Sequence, residues 1–292
     1  MSIAPSQSDP MQLPGPDYPA PAKLNLFLHV VGRRSDGYHL LQSVFTLIDL
    51  HDGLRFRVRD DAEIRRVNEV AGIPADEDLA VLAARLLQEA SGVPQGADIE
   101  IDKRIPVGGG LGGGSSDAAT TLLALNRLWK TGFDREALAE IGAGLGADVP
   151  FFIFGRPAWA EGIGDRLRDI DVPPAWYAIL TPPTQVPTHA VYTAPELTRN
   201  TEPLKMEDFS AQPRDPRFHN DLEPVVTARY PAVREHLEWL RQHGDARMTG
   251  SGSCVFAAFD SRDEARRVIG ALPGTMNGFI AQGLTHHPLL EQ

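Results

Sequence analysis

Apolar and polar residues alternate most regularly between residues 24 and 30. Leu24, Leu26, Leu28 and Val30 alternate there with Asn25, Phe27 and His29. This period of two predicts a strand with one face buried more deeply than the other. Residues 44–50 and 54–58 predict two further strands, separated by a turn at Asp52-Gly53. Other strands are predicted at residues 99–101, 151–154, 176–180 and 254–259.

A helical period appears in several other segments. Residues 76–90 place Leu79, Leu82, Ala83, Leu86 and Leu87 on one face, and Asp76 is positioned to cap the first turn. Residues 116–129 have a similar apolar face, and shorter helices are predicted at residues 134–141, 223–230, 233–243 and 262–272. Helices and strands mix without a regular strand–helix–strand alternation, so the pattern favours an α+β fold.

The chain is long enough for two domains. Its 292 residues open on a proline-rich segment, residues 1–18, which is typical of a disordered arm. A second proline-rich stretch begins at Val172 and suggests a domain boundary. We therefore expect an N-terminal domain over residues 19–171 and a C-terminal α+β domain over residues 172–292. Residues 193–213 show little periodicity and predict a surface excursion.

Composition and charge restrict the classes of partner. The net charge of −11 disfavours nucleic acid, because phosphate binding over a large surface needs a basic face. The single cysteine, Cys254, excludes internal disulfides and multi-cysteine metal sites, and we expect it to be a small buried residue. The histidines show no metal-ligand spacing.

No apolar stretch approaches about 20 residues, and the first 22 residues lack Lys, Arg and an apolar core. We expect a cytoplasmic protein without a membrane partner, either a monomer or a weak homodimer.

Six of the 27 glycines lie within residues 108–114. The run follows a predicted strand and precedes a predicted helix, an arrangement in which bare backbone N–H groups and the helix N-terminus can bind phosphate. The Ser115 and Ser116 hydroxyls can donate to phosphate or contact a metal ion. Asp117 is expected to complement the dipole of the first helical turn. No ribose-binding acid on a second strand and no Gly-Lys-Ser/Thr follows, so dinucleotide-binding and Walker loops are excluded. A flexible linker is the alternative, but a linker would have polar flanks.

Three segments together resemble the galactokinase, homoserine kinase and mevalonate kinase superfamily. They are residues 21–26 (Pro-Ala-Lys-Leu-Asn-Leu), residues 106–116 and residues 250–253 (Gly-Ser-Gly-Ser). Residues 36–39 (Asp-Gly-Tyr-His) and 146–150 (Gly-Ala-Asp-Val-Pro) are similar to one bacterial family within it. The resemblance implies a two-domain α+β small-molecule kinase with its active site between the domains. It further implies that ATP, with Mg²⁺, phosphorylates the tertiary 2-hydroxyl of 4-diphosphocytidyl-2-C-methyl-D-erythritol.

The resemblance also assigns roles to residues. Lys23 and Asp148 would be the catalytic pair, with Asp148 accepting the hydroxyl proton and Lys23 stabilising charge. Asn25, Tyr38 and His39 would line the substrate pocket, and Tyr192 would stack on cytosine. Lys103 would lie where the family holds adenine. The ATP-binding set is Lys103, Pro106, Val107, Gly108, Gly109, Gly110, Leu111, Gly112, Gly113, Gly114, Ser115 and Ser116.

Two alternatives remain open from the sequence. The first is another kinase of the same superfamily, which would phosphorylate mevalonate or homoserine. The second is a nucleotide-binding module without catalysis. Loss of Lys23 or Asp148 beside an intact glycine run would favour the module, but both residues are present.

Overall fold

The structure is a computed structural model that describes residue 13 and residues 15–290. The predicted arm over residues 1–18 falls mostly outside this range, and the predicted domain bounds stay a prediction. The strands are β1 (Tyr18–Arg33), β2 (His39–Arg59), β3 (Ile64–Arg66), β4 (Gly96–Asp102), β5 (Ala158–Glu161), β6 (Arg166–Asp169), β7 (Trp176–Leu180), β8 (Ala246–Met248), β9 (Val255–Phe259) and β10 (Gly278–Leu284). The helices are α1 (Leu79–Ser91), α2 (Gly113–Leu128), α3 (Arg135–Ala143), α4 (Val149–Phe154), α5 (Thr188–Tyr192), α6 (Met206–Ala211), α7 (Glu223–Arg229), α8 (Pro231–Arg241) and α9 (Arg262–Gly270).

The long strand β2 connects the two halves of the molecule. It pairs antiparallel with β1, β4 and β5 in the N-terminal half, and β10 of the C-terminal half pairs with it at Ile48 and Leu47. The resulting strand order is β3-β4-β2-β10-β7-β9-β8. Helices α1, α2 and α4 pack on the N-terminal strands, whereas α7 and α8 pack on the C-terminal strands. The α+β expectation is confirmed.

The structure replaces the two strands predicted around Asp52-Gly53 with the single strand β2. The Asp52 side chain is fully buried, and its carboxylate accepts the backbone N–H groups of Arg104 and Ile105 at 2.6 and 2.8 Å. Because the acid is satisfied by these bonds, the strand continues through a dipeptide that otherwise favours a turn.

Residues 151–154 form the end of helix α4, so the predicted strand there is wrong. A short apolar run does not distinguish a buried strand from a buried helix. Pro150 is tolerated in the first turn, and Gly155 ends the helix with φ +75° while its N–H donates to the Phe151 carbonyl.

Two predicted helix starts also shift. Helix α1 begins three residues later, because Asp78, and not Asp76, accepts the Ala80 N–H at 2.9 Å. Helix α2 begins three residues earlier, at Gly113, so the glycine run itself supplies its first turn. Asp117 consequently lies in the second turn, and the predicted dipole role is wrong. Within residues 13 and 15–290, no helix has the length and apolar character needed to cross a membrane.

Candidate active site

A cavity of about 940 Å³ lies between the two halves of the molecule. It is bounded by β1, the glycine run, the residues before α4, helix α5 and the second glycine loop at residues 250–252. Every residue that the sequence assigned to the site lines this cavity except Ser116. Ser116 is fully buried, and its hydroxyl donates to the Pro21 carbonyl at 2.7 Å. It therefore fastens α2 to β1 and does not reach the cavity.

The N-terminus of α2 opens into this cavity. Gly112 is the N-cap with φ +74°, and the first intrahelical bond runs from the Ser116 N–H to the Gly112 carbonyl at 2.9 Å. The N–H groups of the three preceding residues have no partner inside the helix, as at any helix start. Ser115 lines the cavity beside them. The arrangement is suited to an anion.

Two glycines of the run, Gly110 and Gly112, leave no room for a Cβ because of the protein around them. A Cβ on Gly110 would lie 2.4 Å from the carbonyl oxygen of Thr249, the residue before the second glycine loop, and 3.0 Å from that of Gly252 within the loop. A Cβ on Gly112 would lie 2.9 Å from Cζ of Phe152 and 3.1 Å from Cγ of Lys23. The sequence suggested bare backbone for the ligand, and the structure adds that the two glycine loops need it to approach each other.

Lys23 and Asp148 form a partly buried ion pair on the cavity wall. The Lys23 Nζ lies 3.2 Å from Oδ2 of Asp148, and the lysine side chain is 5% exposed while the aspartate is 35% exposed. Nζ also donates to Oδ1 of Asn25 at 2.5 Å and lies 5.0 Å from the centroid of the Phe45 ring. The ammonium is therefore held by a carboxylate, an amide oxygen and an aromatic face.

Asn25 is fixed by its own hydrogen bonds. Its Nδ2 donates to the Ser43 hydroxyl at 2.9 Å, and Ser43 in turn donates to the Phe27 carbonyl at 2.5 Å. The amide oxygen must then point towards Lys23. Asn25 lines the cavity as expected, but this geometry makes it a support for the lysine.

Lys103 is held beneath the glycine run by two buried carboxylates. Its Nζ donates to Asp52 and to Asp117, each at 2.6 Å. Burial opposes the charge on Lys103, but the two carboxylates outweigh burial and raise its pKa. Burial raises the pKa of Asp117 well above its usual value, despite the lysine. Sequence reasoning missed this network, because Asp52 was assigned to a turn and Asp117 to a helix end.

The part of the cavity lined by Tyr38, His39 and Tyr192 is called its aromatic end. His39 opens β2, Tyr192 ends α5, and their ring centroids lie 5.1 Å apart. Tyr38 is 62% exposed at the rim. Burial, followed by the charges of Arg199 and Arg33, lowers the pKa of His39. Burial and the charge of Asp148 raise the pKa of Tyr192, so both rings are neutral at pH 7.

Arg199 was not anticipated from the sequence. It lies in the segment predicted to be a surface excursion, and its Nε donates to Nε2 of His39 at 3.1 Å. Nothing in the local pattern distinguishes this arginine from a solvated one. Cys254, in contrast, is buried as expected, and burial raises its pKa to about 12, so it is an inert thiol.

The fold and the site together indicate a small-molecule kinase. The molecule has two mixed α+β halves, a glycine loop that leads into a helix N-terminus, and a lysine–aspartate pair on the cavity wall between the halves. Comparisons with known proteins agree. Residues 78–156 match the GHMP kinases N terminal domain, and residues 202–278 match the GHMP kinases C terminal domain.

Three relatives specify the family further. The chain is 60% identical over 274 residues to a 4-diphosphocytidyl-2-C-methyl-D-erythritol kinase of Thiobacillus denitrificans, covering 94% of this chain and 97% of the relative. A kinase of the same name from Nitrosospira multiformis is also 60% identical over 274 residues, covering 93% and 92%. A crystal structure of 4-(cytidine 5'-diphospho)-2C-methyl-D-erythritol kinase superposes with a TM-score of 0.80 at 38% identity, covering 91% of this chain and 98% of that chain. The chain belongs to the 4-diphosphocytidyl-2-C-methyl-D-erythritol kinase family.

Proposed function

We propose that this protein transfers the γ-phosphoryl group of ATP to the 2-hydroxyl of 4-diphosphocytidyl-2-C-methyl-D-erythritol. The product is the 2-phosphate, an intermediate of the non-mevalonate route to isoprenoids. Family membership supports the reaction. The observation that carries the proposal is the Lys23–Asp148 pair, which lies in one cavity with the α2 N-terminus and with the aromatic end.

Asp148 is the proposed general base. A tertiary alcohol is a hindered and weak nucleophile, so a carboxylate that accepts its proton helps the new P–O bond to form. Asp148 is exposed enough to reach an acceptor in the cavity. The Lys23 ammonium can stabilise charge on the attacking oxygen or on the phosphoryl group. Asn25 and Phe45 keep that ammonium in place.

The ATP phosphates are proposed to lie against the glycine run and the first turn of α2. The unpaired N–H groups at this helix start and the Ser115 hydroxyl are the available donors. Lys103 does not contribute a free charge, because Asp52 and Asp117 already bind it. It lines the cavity beneath the loop, and we propose that the adenine lies against it there.

The residues of the cavity are compatible with a Mg²⁺ ion that is held largely by the phosphates of the nucleotide. Within the described part of the chain, no cluster of three or more His, Cys, Asp or Glu side chains could hold a metal ion by itself. The cavity offers the oxygen atoms of Ser115 and Asp148, and oxygen is the ligand type that Mg²⁺ prefers. When bound, the ion would neutralise phosphate charge.

The cytidyl group is proposed to occupy the aromatic end of the cavity. Tyr38, His39 and Tyr192 surround that end, and stacking on an aromatic ring is worth about 1–3 kcal/mol per base in comparable sites. The substrate is a small molecule and not a nucleic acid. We also propose that the protein is cytoplasmic, that it is a monomer or a weak homodimer, and that it has no membrane partner.

The variant Asp148→Asn tests the base. We expect kcat to fall by about 10²–10⁴-fold, the usual contribution of a general base, while ATP binding is unchanged or tighter. Asp102→Asn is the matched control, since that carboxylate is exposed and, among the described residues, pairs only with Arg104, outside the cavity. Wild-type turnover in Asp148→Asn would show that another group accepts the proton.

The acceptor is tested by incubating the protein with labelled ATP and each candidate alcohol. We expect phosphorylation of the cytidyl substrate and no comparable turnover of mevalonate or homoserine. Comparable turnover of either would replace the proposed acceptor.

A further inference from the structure

Arg199 joins the two aromatic residues at the nucleobase end of the cavity. Its guanidinium donates to the carbonyl oxygens of Leu197 at 2.9 Å, Tyr192 at 3.1 Å and Ala194 at 2.6 Å. These three bonds fix the guanidinium in one orientation. In this orientation Nε donates to Nε2 of His39 at 3.1 Å.

This contact determines the tautomer of the imidazole. A guanidinium is charged at every relevant pH and only donates hydrogen bonds, so Nε2 of His39 must present a lone pair. In a neutral imidazole the hydrogen is then on Nδ1. Among the described residues, Nδ1 of His39 has no hydrogen-bond partner, and it is not one of the fully buried unpaired atoms. His39 therefore offers the cavity a donor.

We propose that Arg199 is a positioning residue for nucleobase recognition, which holds His39 as a neutral imidazole with its hydrogen on Nδ1. The proposal rests on the proposed function, because it takes the nucleobase to be the cytosine of the substrate. Cytosine has acceptors at N3 and O2, whereas uracil carries a hydrogen on N3. An N–H donor facing this edge favours cytosine over uracil, and a lone pair there would do the opposite.

The charges around His39 support a neutral ring. The groups that face it are Arg199, Arg33 at the end of the adjacent strand β1, and the phenol ring of Tyr192 on α5. Burial and the two arginines lower the pKa of His39. Both arginines repel the imidazolium, so protonation does not displace the Arg199 contact near neutral pH.

Nitrogen-15 NMR of histidine-labelled protein without ligands tests the tautomer independently of any activity. At pH 7.5, we expect His39, assigned by its absence in His39→Asn, to show a protonated Nδ1 and a bare Nε2. In Arg199→Ala the ring should shift towards the Nε2–H form that free imidazole side chains prefer. A bare Nδ1 in the wild-type protein, or an unchanged spectrum in Arg199→Ala, would overturn the proposal.

Arg229→Ala is the matched control for this experiment. Arg229 also binds the α5 region, through the Ala190 carbonyl at 3.2 Å and Glu196 at 2.8 Å, but it makes no contact with His39. Its removal should leave the His39 signals where they are. A shift of the same size in Arg229→Ala would mean that any loosening of α5 changes the tautomer, which contradicts a specific role for Arg199.

Nucleotide selectivity tests the consequence for recognition. Calorimetric titration of CDP and UDP, with a non-hydrolysable ATP analogue saturating the other site, should show at least a 10-fold preference for CDP. Arg199→Ala should reduce that preference to about 3-fold or less, while Arg229→Ala retains it. Equal weakening of both nucleotides in Arg199→Ala would indicate a merely structural role. If the wild-type protein has no preference for CDP but shows the Nδ1–H tautomer, the cytidyl assignment in the proposed function fails, and the nucleobase role of Arg199 fails with it.

Discussion

Replacing Gly110 by alanine should cost more stability than the same change at Gly108. The two glycines have nearly identical φ angles, +76° at Gly110 and +74° at Gly108, so alanine should cost about 1 kcal/mol at each position for the left-handed region. The surroundings differ. A Cβ on Gly108 meets nothing closer than Cγ of Gln185 at 3.5 Å, whereas a Cβ on Gly110 lies 2.4 Å from the Thr249 carbonyl oxygen.

The extra cost at Gly110 measures the contact between the two glycine loops. The carbonyl belongs to backbone, so it must move by more than half an ångström, which typically costs about 1–3 kcal/mol. We expect Gly108→Ala to lower the free energy of unfolding by about 1 kcal/mol and Gly110→Ala to lower it by about 2–4 kcal/mol. The assay is urea denaturation without nucleotide, followed by fluorescence and circular dichroism. Equal losses in the two variants would refute the reasoning, because the close approach of the loops would then have no energetic consequence.

Two further predictions concern buried charge. Asp52→Asn should destabilise the fold by about 2 kcal/mol, because an amide replaces one of the two carboxylates that bind the buried Lys103 ammonium. The exposed Asp102→Asn should change the urea midpoint little. His29 is buried, neither of its ring nitrogens has a hydrogen-bond partner in the described part of the chain, and burial lowers its pKa to about 4. When the pH is lowered from 6.5 to 4, the unfolded chain takes up a proton at His29 that the folded chain does not. The free energy of unfolding should therefore decrease by roughly 1 kcal/mol for each pH unit of acidification. His29→Phe should flatten this slope, and an unchanged slope in that variant would contradict the assignment.

The sequence predicted which residues line the site more accurately than it predicted the secondary structure around them. Lys23, Asp148 and the glycine run were assigned from motifs, and the structure brings them into one cavity. Their roles stay predictions until the variants are measured. Motifs succeed here because the residue types and their order are set by the reaction, independently of the way each side chain is packed.

The errors share a physical cause. The strand predicted at residues 151–154 and the break predicted at Asp52 were both judged from local pattern. Tertiary contacts decided otherwise, since buried N–H groups satisfy the Asp52 carboxylate and Gly155 ends a helix that the apolar run could not reveal. Ser116 was assigned to phosphate on its position in the run, but one turn of helix rotates it towards β1.

The residues that sequence reasoning missed act through long-range contacts. Arg199 reaches His39 across 160 positions of sequence, and Asp52 meets Lys103 across 51 positions. Neither contact leaves a local periodicity or a motif of its own. Only the pairing of β2 with its neighbours and the return of the chain over the cavity bring these groups together.

The net charge of −11 is compatible with two nucleotide ligands because the cavity does not rely on free side-chain charge. Five Lys, Arg, Asp or Glu side chains line it: Lys23, Arg33, Lys103, Asp36 and Asp148. Two of the three cations are already paired, Lys23 with Asp148 and Lys103 with Asp52 and Asp117. In the proposed function, the phosphates are met mainly by helix N–H groups and by Mg²⁺. Backbone dipoles do not enter the net charge, so an acidic surface and an anion-binding cavity are governed by different parts of the molecule.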